Sequence, residues 1–250
     1  FIPIVVIYQS NSGVSSARNA GIRKAKTPFV LVLDGDDKLK PSYIEQVRKL
    51  LYEDASMVAA SSWMHTFGVL DSVICPSGGN ISNFLTHNCC PAAHILRREI
   101  WEKSGGYDES MRSGFEDWDF FLSMLEAVPN AHIGIVPKPL IDYRTAPASS
   151  NVKSMSKRLE RMRFMIRKHY QSYQEHIEDI VLGMESISIS RLDGWEKEIC
   201  HTLKEKQTLS QASKDFIKSP EHLLILLKKI IGEKELFVHQ LVRPVSLVGT

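Results

Sequence analysis

No stretch of this sequence approaches the ~20 consecutive apolar residues that a membrane-crossing helix needs. Runs such as Phe29 to Leu33 and Leu223 to Leu227 stop after five residues. Cysteine is scarce. The four present (Cys75, Cys89, Cys90 and Cys200) form no CxxC pair and no metal-finger spacing, which excludes a disulfide scaffold or a zinc module. A reducing compartment is then the default, so the expected location is cytoplasmic, with the inner face of the membrane for any peripheral association. Excess charge of either sign is also lacking: 31 Lys and Arg stand against 29 Asp and Glu, a net charge of +2. That balance argues against a chain built to wrap duplex nucleic acid. Internal repeats and low-complexity tracts are absent. Phe1 to Tyr8 reads as a strand rather than a secretory leader. With no initiating Met, the chain is expected to be a piece of a longer protein.

Composition changes once along the chain. Most glycines and prolines precede residue 152; beyond it the text is polar-apolar and helix-like. The Pro/Ser/Ala-rich segment Thr145 to Asn151 reads as a linker, so the expected domains are 1–150 and a helical region 151–250. In the first part, Ile4 to Tyr8 and Phe29 to Leu33 are continuous apolar runs expected as buried strands. Between them Val14, Ala17, Gly21, Ile22 and Ala25 recur at helical spacing, with Ser12 as the expected cap. Pro41 suits the first turn of a helix with an Ile44, Val47, Leu50, Leu51 stripe. Met57 to Trp63 and Ile133 to Val136 are further expected strands. A helix starting near Glu116 places Trp118, Phe121, Leu122 and Leu125 in the core. Strands alternating with helices of this length predict an α/β fold with a mostly parallel sheet flanked by helices.

The stretch Leu33-Asp34-Gly35-Asp36-Asp37 follows a buried strand, at the carboxyl end where open α/β sheets bind ligands. Residues i and i+2 of a strand share a face, so Asp34 and Asp36 are expected to point at one ligand. Converging carboxylates repel unless a cation lies between them, and all-oxygen ligation suits Mg²⁺ or Mn²⁺ bridging to phosphate. The plain alternative is an Asp/Gly turn, where these residues occur for conformational reasons.

Three blocks in order narrow the choice. The first is Asn11-x-Gly13-x-x-x-Ala17-Arg18-Asn19-x-Gly21 followed by Asp34-Gly-Asp36-Asp37 and Pro41. The second is Leu96-Arg-Arg-Glu99, Gly105-Gly-Tyr-Asp108-Glu109 and Glu116-Asp-Trp-Asp119. The third is Pro137 to Leu140 with Tyr143-Arg144. Over about residues 3–150 this resembles the family 2 glycosyltransferases of GT-A fold, which is Rossmann-like.

The resemblance implies inverting transfer of a sugar from a nucleotide-sugar donor to a glycan, lipid-linked or protein hydroxyl, in cell-surface polysaccharide or glycan synthesis, without nucleic acid. It implies that Asp34 and Asp36 ligate Mn²⁺ or Mg²⁺, with Asp34 also touching the donor. Asp117 matches the base that deprotonates the acceptor, and Glu116 fixes the loop or binds the acceptor. Arg18 and Asn19 match a motif on the nucleotide side, although a lone helical Arg is more often solvated. Asp119 reads either as a substrate-side carboxylate that supports the base or as a first-turn acid. His94 is expected to be a core residue, and Cys89 and Cys90 to be packing residues. The family opens with a further strand, helix and strand that hold the nucleotide base, and this sequence starts at the strand after them. Ala146 stands where many members carry His. These two differences keep open a catalytically silent module that binds sugar or a partner. A metal-dependent phosphotransfer enzyme would use Asp34 and Asp36 but leaves the Glu116-Asp117 block unexplained.

Residues 153–168 carry seven Lys and Arg against Glu160 alone, with Leu159, Met162, Met165 and Ile166 at helical spacing. Such a helix either packs on the catalytic domain or lies on an anionic membrane surface. A second apolar helix is expected after Ser219-Pro220.

Overall fold

A computed structural model describes residues 4–112, 114–146 and 157–205, with side chains to residue 199. Helix α1 (Val14–Lys24) leads to strand β1 (Phe29–Val32), the short β2 (Lys38–Leu39) and α2 (Tyr43–Glu53). The hairpin β3 (Met57–Gly68) and β4 (Ser72–Ile74) follows, then α3 (Ile81–Thr86), β5 (His94–Arg97) and α4 (Arg98–Lys103). Helix α5 (Glu116–Glu126) and the long β6 (His132–Thr145) complete the α/β part. Beyond it lie α6 (Arg158–Lys168), α7 (Tyr170–Glu175) and α8 (Ile177–Glu205). The α/β class and the helical C-terminal region agree with expectation.

Among the described residues the sheet has six strands in the order β1-β5-β3-β6-β2, with β4 paired to β3. It is mixed rather than mostly parallel. Only β3 and β6 pair in parallel; β5 runs antiparallel to both β1 and β3, and β2 antiparallel to β6. The reason lies in the connections. Strands β1 and β3, joined by a connection that contains α2, share one direction, and β6 runs the same way beside β3. Strand β5 returns between β1 and β3 in the opposite sense and breaks their expected adjacency.

Alternation along β3 and β5 divides the core into two faces. Ala59 and Leu96 join Phe84, Trp118, Phe121 and Leu122 on one side; Ala60 and Ile95 join Tyr43, Val47 and Leu51 on the other. In α2 the buried stripe begins at Tyr43 rather than Ile44, which is 51% exposed. Tyr43 reaches across the core to donate its hydroxyl to the Ala93 carbonyl at 3.1 Å.

Ile4 to Tyr8 departs from expectation. It forms no strand, and Ile4, Val5, Val6 and Tyr8 are strongly exposed. An apolar run is buried only where an edge pairs with it, and no described strand does so here. The α1 cap also shifts: Gly13 takes the N-cap position at φ 90°, and no side chain caps the helix.

The chain divides into two compact units, one ending at Ile187 and the other beginning at Ser188. The first therefore continues past the expected boundary at residue 150. Met165, Tyr173 and Ile180 join the core cluster of α5. Of the stripe expected in α6, Met165 is buried and Met162 packs against the core, while Leu159 is 85% exposed. The helix expected after Pro220 lies outside the described residues, as do residues 147–151 of the expected linker. No described helix is long and apolar enough to cross a membrane.

Candidate active site

The acidic stretch after β1 is a turn, not a continuation of the strand. Strand β1 ends at Val32, and the Asp37 N–H donates to the Asp34 carbonyl at 3.2 Å. Asp34 and Asp36 are thus presented by turn geometry rather than by the pleat of a strand. Asp34 is half-buried and Asp36 exposed. Asp37 closes the turn onto β6 by accepting the Arg144 N–H at 3.0 Å. Burial raises the pKa of Asp37 against that hydrogen bond, and Asp36 and Asp34 add to the rise. Burial also raises Tyr143, and the nearby carboxylates of Asp37, Asp34, Asp36 and Asp117 raise it further. The Tyr143-Arg144 block therefore backs the acidic turn.

Arg18 joins the blocks. Its Nη2 donates to Asp34 Oδ1 at 2.8 Å and its Nη1 to Asp117 Oδ1 at 2.6 Å, and its side chain is 9% exposed. The guanidinium also lies 5.4 Å from the centre of the Tyr107 ring. Burial works against the charge, but Asp117, Tyr107 and Asp34 outweigh it and raise the Arg18 pKa. The planar fork of a guanidinium suits this bridge between two carboxylates, as a lysine's point charge does not. The solvated-helix alternative for Arg18 does not hold.

Asn19, the next residue, is turned into the protein. Its Nδ2 donates to the Tyr107 carbonyl (2.8 Å) and Glu109 Oε1 (2.9 Å), while its Oδ1 accepts from Trp101 Nε1 and the Tyr107 N–H, both at 3.0 Å. Both ends of the amide are thus engaged by the protein, and the residue is 3% exposed. Asn19 therefore builds the wall on which Tyr107 rests and does not face a nucleotide.

Helix α5 presents Asp117 from its first turn. Gly114 and Phe115 both adopt positive φ, 102° and 76°, which sets the angle at which the chain enters the helix. Glu116 holds that entry by accepting the Gly114 N–H at 2.8 Å, the loop-fixing role expected of it. The side chain of Asp117 is 20% exposed. Burial raises its pKa against the pull of Arg18, and Asp34 and Glu116 favour the rise. The positive end of the α5 dipole opposes it.

Asp119 is not brought to this site. It is fully buried, with one oxygen on Lys168 and the other on His169. Trp118 lies in the core, its indole N–H donating to the Phe84 carbonyl. His94 is buried against the edge of Phe121, and burial lowers its pKa to about 3. Cys89 and Cys90 are buried packing residues whose thiols burial pushes up, Cys89 to about 11.

Among the described residues no three His, Cys, Asp or Glu side chains are grouped to enclose a metal by themselves. The donor set fits a different arrangement. Mg²⁺-type ions keep several waters and are held by one or two carboxylates together with substrate phosphates. Asp34 and Asp36, half-buried and exposed on one turn, are donors of that kind.

Sequence reading missed Asp37, Tyr107 and Tyr143 as site residues. All three lie inside the quoted motif blocks, which is the signal that could have found them.

Residues 1–105 match the profile described as glycosyl transferase family 2. This part of the chain is similar to the members of that family. The chain is 26% identical over 159 residues to the uncharacterized glycosyltransferase YwdF of Bacillus subtilis (60% of this chain, 58% of that protein). An uncharacterized glycosyltransferase of Haemophilus influenzae is 25% identical over 177 residues (67% and 60%). The chain thus spans 58% and 60% of the length of these two relatives. A 26% identity over 133 residues links it to the hyaluronan synthase of Pasteurella multocida, covering 51% of this chain and 14% of that one. The S. aureus TarS 1–349 structure in complex with UDP-GlcNAc superposes with a TM-score of 0.54 at 15% identity, covering 90% of this chain and 63% of that one. At that identity the likeness establishes the fold. In the matched segment lie Arg18 and the Asp34–Asp37 turn; Asp117 and Tyr143 follow it in the same compact unit.

Proposed function

We propose that this chain transfers a sugar from a nucleotide-sugar donor to an acceptor hydroxyl with inversion at the anomeric carbon. The observation that carries the reading is the Arg18 bridge, which brings Asp34 of the acidic turn and Asp117 of α5 to one guanidinium. Two carboxylates separated by 83 positions in the sequence thereby meet at one side chain.

Asp117 accepts the proton of the acceptor hydroxyl. The oxygen then bonds to the anomeric carbon as the bond to the diphosphate breaks, and the nucleoside diphosphate leaves with the electron pair. The base must be ionised to act. Arg18 and the α5 amino end favour that state, while burial keeps the carboxylate basic. Asp34 and Asp36 would hold Mn²⁺ or Mg²⁺, which when bound would supply charge neutralisation for the leaving group. Asp37 and Arg144 fix the turn that presents them. Glu116 sets the entry to α5 and with it the direction of Asp117.

The nucleotide-sugar class is supported by the fold likeness to a protein crystallised with UDP-GlcNAc. A polysaccharide or glycan acceptor is supported by the relatives described as hyaluronan synthase and chondroitin synthase. The test is UDP binding by calorimetry with and without Mn²⁺, beside nucleotide-sugar turnover in the full-length protein. Mn²⁺-dependent binding with turnover is expected; absence of both overturns the reading.

A further inference from the structure

The junction of α6 and α7 carries two cationic side chains that the reaction as proposed does not use. Lys168 Nζ reaches Asp108 Oδ2 at 2.7 Å and Asp119 Oδ2 at 2.8 Å. His169, buried beside it, meets the other Asp119 oxygen through Nε2 at 3.0 Å and Glu126 Oε2 through Nδ1 at 2.8 Å. Ser172 donates its hydroxyl to the second oxygen of Glu126 at 2.6 Å. With a carboxylate at each ring nitrogen, only the imidazolium donates to both. Burial opposes that charge, but Asp119 and Glu126 overcome it and raise His169 to about 9. For Asp108, burial is outweighed by the Lys168 and Ser110 hydrogen bonds, which lower it to about 2.

The anchoring points of this clasp are not spread over the helix interface. Asp119 stands two residues beyond Asp117 on the first turn of α5. Asp108 follows Tyr107, whose ring lies under Arg18 and stacks on Phe120 with centroids 4.0 Å apart. Lys168 thus spans the two elements that frame the Arg18–Asp117 contact. Simple attachment of the helices is already provided by Met165, Tyr173 and Ile180 in the core.

We propose that Lys168 and His169 are positioning residues for the transfer reaction, locking the first turn of α5 against the Tyr107 loop so that Asp117 stays held on Arg18. The segment beyond β6 is thereby a working part of the catalytic unit. This rests on the reading of Asp117 as the base.

The test compares Lys168→Met and Lys168→Arg in the full-length protein. Readouts are thermal melting, UDP affinity with Mn²⁺, turnover of UDP-GlcNAc, and amide exchange by mass spectrometry. Lys168→Met should remain folded and bind UDP within about twofold of the parent, yet lose roughly 10- to 100-fold in kcat, the scale of a small misplacement of a reacting group. Donor KM should hold. Exchange should quicken over Glu116 to Phe120 but not in α2, and Lys168→Arg should restore both. A folded Lys168→Met protein with parental kcat, or with unchanged exchange in α5, overturns the proposal. Full turnover by Asp117→Asn overturns instead the assignment of the base, and it does so without touching the exchange result.

Discussion

Arg18 on α1 and Asp117 on α5 are 99 positions apart in sequence and 2.6 Å apart in space. The same guanidinium holds Asp34 at 2.8 Å, so one side chain sets the spacing between the acidic turn and the first turn of α5. Substituting Arg18→Lys keeps the charge but replaces the fork by a single ammonium that cannot serve both carboxylates in this geometry. The expected result is a loss of roughly 10- to 100-fold in kcat/KM, the equivalent of one charged hydrogen bond. Steady-state kinetics measure it, with circular dichroism confirming that the fold is kept.

Asp36 is exposed on the acidic turn, so Asp36→Ala should leave stability within about 0.5 kcal/mol of the parent. The Mn²⁺ dependence of UDP binding should disappear in the same variant. Calorimetry with and without the cation reads the effect directly, and unchanged Mn²⁺-dependent affinity would remove Asp36 from the cation site.

Asn19 has an opposite profile. Asn19→Ala leaves Trp101 Nε1 and the Tyr107 N–H without their acceptor inside the protein. A cost of roughly 2–4 kcal/mol in denaturant unfolding is expected, from two buried donors left unmet. Nucleotide affinity per folded molecule should not change, because the amide faces the protein.

His169 makes stability depend on pH. Its pKa rises from 6.5 to about 9 on folding, through Asp119 and Glu126 against burial. A group raised in the folded state contributes fully below its unfolded pKa and loses that contribution as pH passes the folded one. Stability should therefore fall between about pH 6.5 and pH 9. His169→Gln, with no titrating ring, should be less stable at pH 6 and show a flatter profile across that window. Melting temperatures of both proteins from pH 6 to pH 9.5 check this, and parallel profiles would contradict it.

What the sequence disclosed follows from where its signals are local. Strands β1, β3 and β6 were legible because each is a multi-residue apolar run next to a helical crossover. Strands β2, β4 and β5 are two to four residues long, too short for any period, and their antiparallel placement depends on partners far along the chain. Ile4 to Tyr8 shows the reverse failure: apolar text states a preference for burial but cannot supply the edge that would satisfy it. At the site, Asp34, Asp36 and Asp117 were singled out through motif spacing, and of the two roles expected of Glu116 the structure shows a contact that fits the loop-fixing one. Asp119 was harder to place. It precedes Phe120, Phe121 and Leu122, a context that marks a buried carboxylate, but its cations lie 49 and 50 positions later with no spacing rule to connect them. The Arg18 bridge was equally invisible, because a helical arginine is legible only once its two carboxylates are placed.

The most direct measurement is turnover by Asp117→Asn in the full-length protein. Asparagine keeps the size and the ability to accept from Arg18 but cannot take a proton. The account predicts a fall in kcat of roughly 10²- to 10⁴-fold with donor KM nearly unchanged, since the proposed mechanism assigns the donor to the acidic turn and the chemistry to Asp117. Parental turnover in a folded Asp117→Asn protein would contradict it and remove Asp117 as the base.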